Sequence, residues 1–222
     1  MLCEATNMRQ SVDEVVFGNP SFEQITLVQS ATEFDFLLPD IFNTPCPINT
    51  STMVQDELQV LVQYQKEFQH LTESKAKRFA YYDHNLANAV INFLRNYELD
   101  ATELVNEIIN WTKPFLLKIK YKYQRPRPYQ LACYYKTSLF PRRSASADTP
   151  AYPSGHTFQM HLIQETIGSM YPQVYADLTK LTKEVNEQRL YYGLHFPSDV
   201  DFAKQCADRV LKSKIWTTKY NI

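Results

Sequence analysis

From residue 51 onward, apolar side chains recur every three or four positions, which is the spacing of one face of an α-helix. The first such stripe follows Ser51 and includes Leu58, Leu61, Phe68 and Leu71. Glycine, which weakens helices, occurs only 4 times in 222 residues, and the chain contains no runs of β-branched residues. These features favour helices over strands and predict an all-α, single-domain helical bundle.

Helix start and stop signals divide the chain into an arm and one helical domain. Residues 1–50 contain four prolines and no persistent helical period, so they are predicted to form an irregular N-terminal arm. Residues 51–222 are predicted to form the helical domain. Asp100 is the expected N-cap of one helix, with Glu103 completing a capping box. The predicted helices cover about residues 51–71, 74–97, 100–121, 154–171, 172–192 and 198–213.

The charge of the chain is balanced overall but uneven along its length. The formal net charge is -1, which predicts no general attraction to nucleic acid or to an anionic membrane. Between Lys113 and Arg143, however, there are nine basic residues and no acidic residue. This run overlaps the motifs described below and therefore indicates a local site for an anion.

Targeting and metal-binding signals are missing from the sequence. It contains no apolar run of 18 residues that would predict a membrane span. The first residues lack the basic start and apolar core of a secretory signal, so a cytoplasmic location is expected. The four cysteines are far apart and show no metal-ligand spacing, which predicts free thiols and no metal cofactor.

One candidate anion site is the tetrapeptide Pro153-Ser154-Gly155-His156, which is expected to open a helix. Ser154 is a good N-cap, and Gly155 allows a ligand to approach the backbone closely. The free N–H groups of a helix N-terminus bind phosphate, and His156 would lie beside the anion. The alternative is an ordinary helix start with a surface histidine.

A second candidate is the cationic stretch from Lys120 to Pro128. Arg127 offers a planar fork for two phosphate oxygens, and Lys120 adds a point charge. One alternative is a helix end whose cations satisfy the last carbonyl groups. Another is a strip for single-stranded nucleic acid with interleaved tyrosines, which the balanced net charge and the short length of the stretch argue against.

A third candidate is a histidine with an orienting carboxylate. His195 follows a helix break at Gly193, and Asp199 comes four residues later in the first turn of the next helix. Asp199 could accept the imidazole N–H and leave the other ring nitrogen free to attack. Arg189 could supply a further fork for phosphate. The alternative is that Asp199 only stabilises a helix N-terminus.

Together, the three segments resemble the motifs of the superfamily of type-2 phosphatidic acid phosphatases and vanadium haloperoxidases. Its pattern is K-x6-R-P, then P-S-G-H, then S-R-x5-H-x3-D. The residues around the three motifs are most similar to those of the soluble bacterial class A non-specific acid phosphatases. Gln188 stands where the pattern has serine. The matching residues are Lys120, Arg127 and Pro128, then Pro153 to His156, then Arg189, His195 and Asp199.

The resemblance implies a helical bundle of that superfamily and a metal-independent hydrolysis of small phosphomonoesters. It implies that His195 is the nucleophile, that Asp199 orients it, and that His156 is the general acid and base. It further implies that phosphate is bound by Lys120, Arg127, Ser154, Gly155 and Arg189, and that two copies of the chain pair.

Three other functions remain open at this stage. Vanadate mimics phosphate, so a vanadate-dependent haloperoxidase would use the same pocket. A non-catalytic phosphate-binding protein would keep the cations without turnover. A membrane lipid phosphatase is disfavoured because no spanning segment is predicted.

Overall fold

The computed structural model describes residues 11–222, and within this range the regular secondary structure is entirely helical, without strands. The prediction of an all-α single domain is therefore confirmed. Short 3-10 turns occur at Val12–Glu14, Asp35–Leu37, Ala145–Ala147 and Pro172–Val174. The α-helices are α1 (Phe22–Gln29), α2 (Leu38–Phe42), α3 (Thr52–Phe68), α4 (Glu73–His84), α5 (Leu86–Arg95), α6 (Thr102–Tyr123), α7 (Pro128–Ala132), α8 (Gly155–Met170), α9 (Tyr175–Tyr191), α10 (Pro197–Leu211) and α11 (Lys214–Tyr220).

Two predicted helix boundaries differ in the structure. The helix predicted over 74–97 is divided into α4 and α5 at Asn85, whose φ of -140° and ψ of 49° lie outside the helical region. At α6 the N-cap is Ala101 instead of Asp100, and the capping box with Glu103 does not form. The Asp100 carboxylate instead accepts a hydrogen bond from the backbone N–H of Thr102, so it still satisfies a first-turn donor.

Residues 11–50 contribute helices and core side chains. Residues 1–10 of the predicted irregular arm lie outside the described residues, but the rest includes α1 and α2. α1 packs against α6, and both Phe34 and Ile41 are fully buried in the main core. Helices of eight and five residues are too short to show a persistent apolar stripe, which is why periodicity does not detect them.

The arrangement around α8 positions the candidate site. α8 packs against α6, α9 and α10, and its Phe158, Leu162 and Ile163 are fully buried. The three motif segments lie at the ends of these same helices. As a result, packing of the apolar faces brings the end of α6, the start of α8, the end of α9 and the start of α10 close together.

The cysteines and the helix lengths bear on two further expectations. Cys46 and Cys206 are free thiols, and burial raises the pKa of each to about 12. Cys133 takes part in a disulfide, so the expectation of free thiols was wrong for this residue, and Cys3 lies outside the described residues. Between residues 11 and 222, no helix has the length and apolar character needed to cross a membrane.

Candidate active site

The eight predicted site residues lie together, although they come from three separate segments of the chain. The backbone N–H of Ser154 donates to the carbonyl oxygen of Asp199 at 3.0 Å, which joins the starts of α8 and α10. The Lys120 side chain passes beside Gly155. All of the predicted side chains are buried, and His156 is the most accessible of them, with 9% of its surface exposed.

The His195 ring is held by Asp199. Asp199 lies at the third position of α10, and its Oδ2 accepts the backbone N–H of Phe196 at 2.8 Å. The same oxygen lies 3.3 Å from Nδ1 of His195. The four-residue spacing therefore produces the carboxylate–imidazole contact that the sequence predicts. Gly193, at φ +64°, allows the tight turn that brings the chain from α9 to His195.

The contact between His195 and Arg127 defines the tautomer of the imidazole. Nη1 of Arg127 lies 2.8 Å from Nε2 of His195, and a guanidinium can only donate. Nε2 is therefore the unprotonated acceptor, and Nδ1 carries the hydrogen and donates it to Asp199. The single lone pair of Nε2 accepts this hydrogen bond, so the guanidinium of Arg127 must turn away from Nε2 before that lone pair can meet a ligand.

The electrostatic surroundings keep His195 neutral. Burial lowers the pKa of His195 well below its usual value, and the nearby positive charges of Arg127, Lys120 and Arg189 lower it further. A neutral imidazole is the form that can attack phosphorus. The cations predicted to bind phosphate thus also favour the unprotonated form of His195.

His156, in the first turn of α8, has one ring nitrogen without a hydrogen-bond partner. Its Nε2 is buried and makes no hydrogen bond to any residue within 11–222. Burial, followed by the charge of Arg189, lowers the pKa of His156 well below the usual value, while the backbone of Asp83 and Tyr82 acts in the opposite direction. A buried, unpaired imidazole nitrogen is available to exchange a proton with a ligand.

Two of the three predicted phosphate-binding cations are held by backbone carbonyl groups of the loop of residues 133–154 between α7 and α8, here called the covering loop. Nζ of Lys120 donates to the Pro150 oxygen at 2.6 Å. Nε and Nη2 of Arg127 donate to the Thr149 oxygen at 2.9 and 2.6 Å. Burial and the mutual repulsion of the cations lower both pKa values, that of Arg127 to about 10. The carbonyl oxygens of the loop thus accept the hydrogen bonds that the oxygen atoms of a bound anion would accept.

This loop is fastened to the body at two further points. The side-chain amide of Gln65, on α3, accepts from the backbone N–H of Phe140 at 2.9 Å and donates to its carbonyl oxygen at 2.7 Å. Gln24, on α1, donates to both the backbone oxygen and the carboxylate of Asp148. The loop therefore covers a closed site.

Arg189 is paired with a carboxylate that the sequence analysis does not predict as a site residue. Its Nη1 donates to Oδ1 of Asp83, on α4, at 2.5 Å, and its Nη2 donates to the hydroxyl of Ser146 at 3.1 Å. Gln188, which replaces the serine of the motif, is fully buried, and its Oε1 lies 3.4 Å from Nη1 of Arg189. The glutamine therefore retains a contact with the arginine.

The backbone N–H of Ser154 is not available for phosphate as predicted. Its backbone N–H is predicted to bind phosphate but is already donated to Asp199. Its hydroxyl accepts a hydrogen bond from Thr157 at 3.0 Å and keeps its own hydrogen for a ligand. Any phosphate contact of Ser154 would thus use the side chain.

Sequence reasoning misses three buried charged residues beside the site: Glu57, Asp83 and Arg125. Glu57 and Asp83 each lie on the buried face of an amphipathic helix, four residues before Leu61 and four after Phe79, respectively. An acidic residue within an apolar stripe is a usable signal, because such a residue is rarely buried without a partner.

No family model matches the chain, and no curated protein matches its sequence. Within residues 11–222, no group of three or more histidine, cysteine, aspartate or glutamate side chains is arranged to hold a metal ion.

Proposed function

We propose that this chain is a phosphomonoester hydrolase that acts on small phosphate compounds through a phosphohistidine at His195. The observation that carries the proposal is the 2.8 Å contact between Nη1 of Arg127 and the unprotonated Nε2 of His195. It identifies Nε2 as the ring nitrogen that carries the lone pair and places Arg127 beside it. On substrate binding, Arg127 would transfer this hydrogen bond to an oxygen of the phosphoryl group, which frees the lone pair to attack.

In the first step, Nε2 of His195 forms a bond to phosphorus while the ester P–O bond breaks. The departing oxygen takes a proton from His156. The pKa of His156 is low in the closed site, but the negative charge of the bound phosphate raises it, which allows protonation on binding. The products of this step are an alcohol and the phosphohistidine.

In the second step, water attacks phosphorus and the P–N bond breaks. His156, now neutral, takes the proton of the water, and inorganic phosphate leaves. Asp199 holds the Nδ1 hydrogen of His195 through both steps. Lys120, Arg127 and Arg189 stabilise the charge on the equatorial oxygens, so the mechanism needs no metal ion.

Substrate entry requires the covering loop to move, since the cations donate to the Thr149 and Pro150 oxygens. Phosphate oxygens would take over these hydrogen bonds. The hydroxyl of Ser154 and the free first-turn N–H groups of α8 would contribute further donors.

Two expectations about the setting remain predictions. Pairing of two copies rests on the resemblance alone. A cytoplasmic location also remains a prediction from the sequence.

The test is hydrolysis of p-nitrophenyl phosphate in the presence of a chelator, between about pH 5 and pH 8, where an unperturbed histidine titrates. We expect turnover that vanadate inhibits, and its loss in His195→Ala. His161→Ala is the matched control, because His161 also contacts an aspartate but lies outside the site. Full activity in His195→Ala would refute the proposal. Vanadate-dependent bromination would then be measured as the competing function.

A further inference from the structure

Arg125 lies within the K-x6-R-P stretch, but at a position that the motif leaves unspecified. Its side chain is fully buried, with 1% of its surface exposed. Its Nη1 donates to Oδ1 of Asp199 at 2.5 Å and to the hydroxyl of Ser198 at 2.8 Å. Its Nη2 donates to Oε2 of Glu57 at 3.3 Å. Burial of an arginine is costly unless its donors are well matched, and here both terminal nitrogens are engaged.

The two oxygens of Asp199 have different partners. Oδ1 faces Arg125, while Oδ2 faces Nδ1 of His195 and the backbone N–H of Phe196. Arg125 therefore fixes the plane of the carboxylate from the side opposite His195. It also shares the negative charge of Asp199, which limits how strongly the carboxylate can stabilise a protonated imidazole.

Arg125 is itself held from two directions. The Glu57 carboxylate accepts from the Ser198 backbone N–H at 2.6 Å and from its hydroxyl at 2.8 Å, besides accepting from Arg125. The guanidinium carbon lies 4.2 Å from the centre of the Phe196 ring, an arrangement that favours a cation over the aromatic face. These contacts connect α3 to the start of α10, next to the nucleophile.

We propose that Arg125, held by Glu57, is a positioning residue that sets the orientation and the protonation of His195 through Asp199. The proposal rests on the proposed function for its effect on turnover, but its effect on the imidazole can be measured separately. The other charged groups that face His195 are Arg127, Lys120, Arg189 and His156, and all of them remain when Arg125 is changed.

The first test compares Arg125→Met with the wild type in p-nitrophenyl phosphate hydrolysis. Without the guanidinium, Asp199 stabilises the imidazolium of His195 more strongly, so the pKa of His195 rises. We expect the acid limb of the kcat/KM profile to move to higher pH. We expect kcat to fall by about 10- to 100-fold, as for the loss of other orienting partners, with a smaller change in KM.

The second test reads the imidazole directly. In protein labelled with ¹⁵N-histidine, the Nε2 signal of wild-type His195 should be that of an unprotonated nitrogen down to mildly acidic pH. In Arg125→Met its titration should move to higher pH. Arg125→Lys keeps the positive charge but not the planar guanidinium, so it should shift the titration of His195 by an intermediate amount. This variant replaces Arg125→Met in the test if the methionine variant does not fold.

Leu94→Ala, a core change in α5 remote from the site, is the control for destabilisation. It should lower the melting temperature without moving the titration of His195. If the folded Arg125 variants leave that titration where it is in the wild type, the positioning role is refuted and Arg125 is only structural. If the wild type shows no phosphatase activity, the proposed function fails, while the ¹⁵N titration still decides the role of Arg125.

Discussion

Oδ1 of Asp83 lies 2.5 Å from Nη1 of Arg189, and both side chains are almost fully excluded from solvent. The pair joins α4 to the end of α9. Asp83 also accepts a hydrogen bond from the hydroxyl of Ser144, in the loop that covers the site. Arg189 therefore has a counter-charge in the protein before any anion binds.

We expect Asp83→Asn to lower the free energy of unfolding by about 3 kcal/mol, because it leaves a buried arginine without its counter-charge. Inorganic phosphate should recover more of this stability in the variant than it adds to the wild type, since its charge replaces that of Asp83. Thermal melts with and without phosphate measure both effects. Asp35→Asn, which removes the partially exposed partner of Lys118, is the control, and an equal phosphate effect in all three proteins would contradict the prediction.

Asp199→Asn is expected to lower kcat by about 10⁴-fold, because an amide in place of the carboxylate no longer holds the Nδ1 hydrogen of His195. Rapid-quench trapping of the acid-labile phosphoenzyme measures the first step. The molecule contains a matched control: Asp208 contacts His161 at 2.8 Å in a more exposed pair away from the site. Asp208→Asn should keep wild-type rates. A phosphoenzyme that forms equally fast in Asp199→Asn would rule out the orienting role.

The stability of the protein should depend on pH through its two buried histidines. In the folded state the pKa values of His156 and His195 lie well below 6.5, near which they titrate in the unfolded chain. Below pH 6.5 the unfolded state binds protons that the folded state does not. The free energy of unfolding should therefore fall as the pH drops, by up to about 1.4 kcal/mol per pH unit for each histidine.

Denaturant titrations of the wild type and of a His156→Ala/His195→Ala double variant, between about pH 5 and pH 7, measure this dependence. The double variant should show a shallower slope. Burial raises the pKa of Glu57, so this residue makes the free energy of unfolding rise as the pH drops, opposite to the histidines. Glu57 is present in both proteins, so the contribution of the histidines is the difference between the pH slopes of the wild type and the double variant. Leu94→Ala should lower stability equally at every pH, and identical slopes for wild type and double variant would disprove the assignment.

Loosening the covering loop should strengthen anion binding. Asp148 directly precedes Thr149 and Pro150, whose carbonyl oxygens accept hydrogen bonds from Arg127 and Lys120. Gln24→Ala removes the hydrogen bonds from α1 to Asp148. Each bond contributes about 1 kcal/mol, so the dissociation constant for vanadate should fall by about three- to tenfold, with little change in kcat. Inhibition of p-nitrophenyl phosphate hydrolysis by vanadate measures it. Gln55→Ala, an exposed glutamine on α3, is the control. Weaker vanadate binding in Gln24→Ala would show instead that α1 supports the bound state.

The candidate site could be assembled from sequence because its groups are side chains at characteristic spacings. His195 lies just before α10 and Asp199 in its first turn, and the structure places the two side chains in contact. Helices with a long apolar stripe, such as α3 and α8, could be predicted for the same reason. The short α1, α2, α7 and α11 could not, because fewer than three turns do not establish a period.

What could not be predicted depends on backbone atoms and on tertiary partners. The oxygens of Thr149 and Pro150 bind the cations through groups that every residue possesses, so no letter of the sequence marks them. Arg125 lies only two residues before Arg127, yet its guanidinium contacts Asp199, whereas that of Arg127 contacts Nε2 of His195. Only the packing of α3 against the rest of the bundle distinguishes their roles.

α3 has a consequence for how small a working version of this protein can be. Glu57 and Gln65, on this one helix, hold the start of α10 and the covering loop. A fragment that begins at α4 would retain all the motif residues and still lose both supports, with Arg125 and the Ser198 N–H deprived of a buried partner. We therefore expect that the motif residues cannot be transferred on their own, and that a fragment with the proposed activity must include α3.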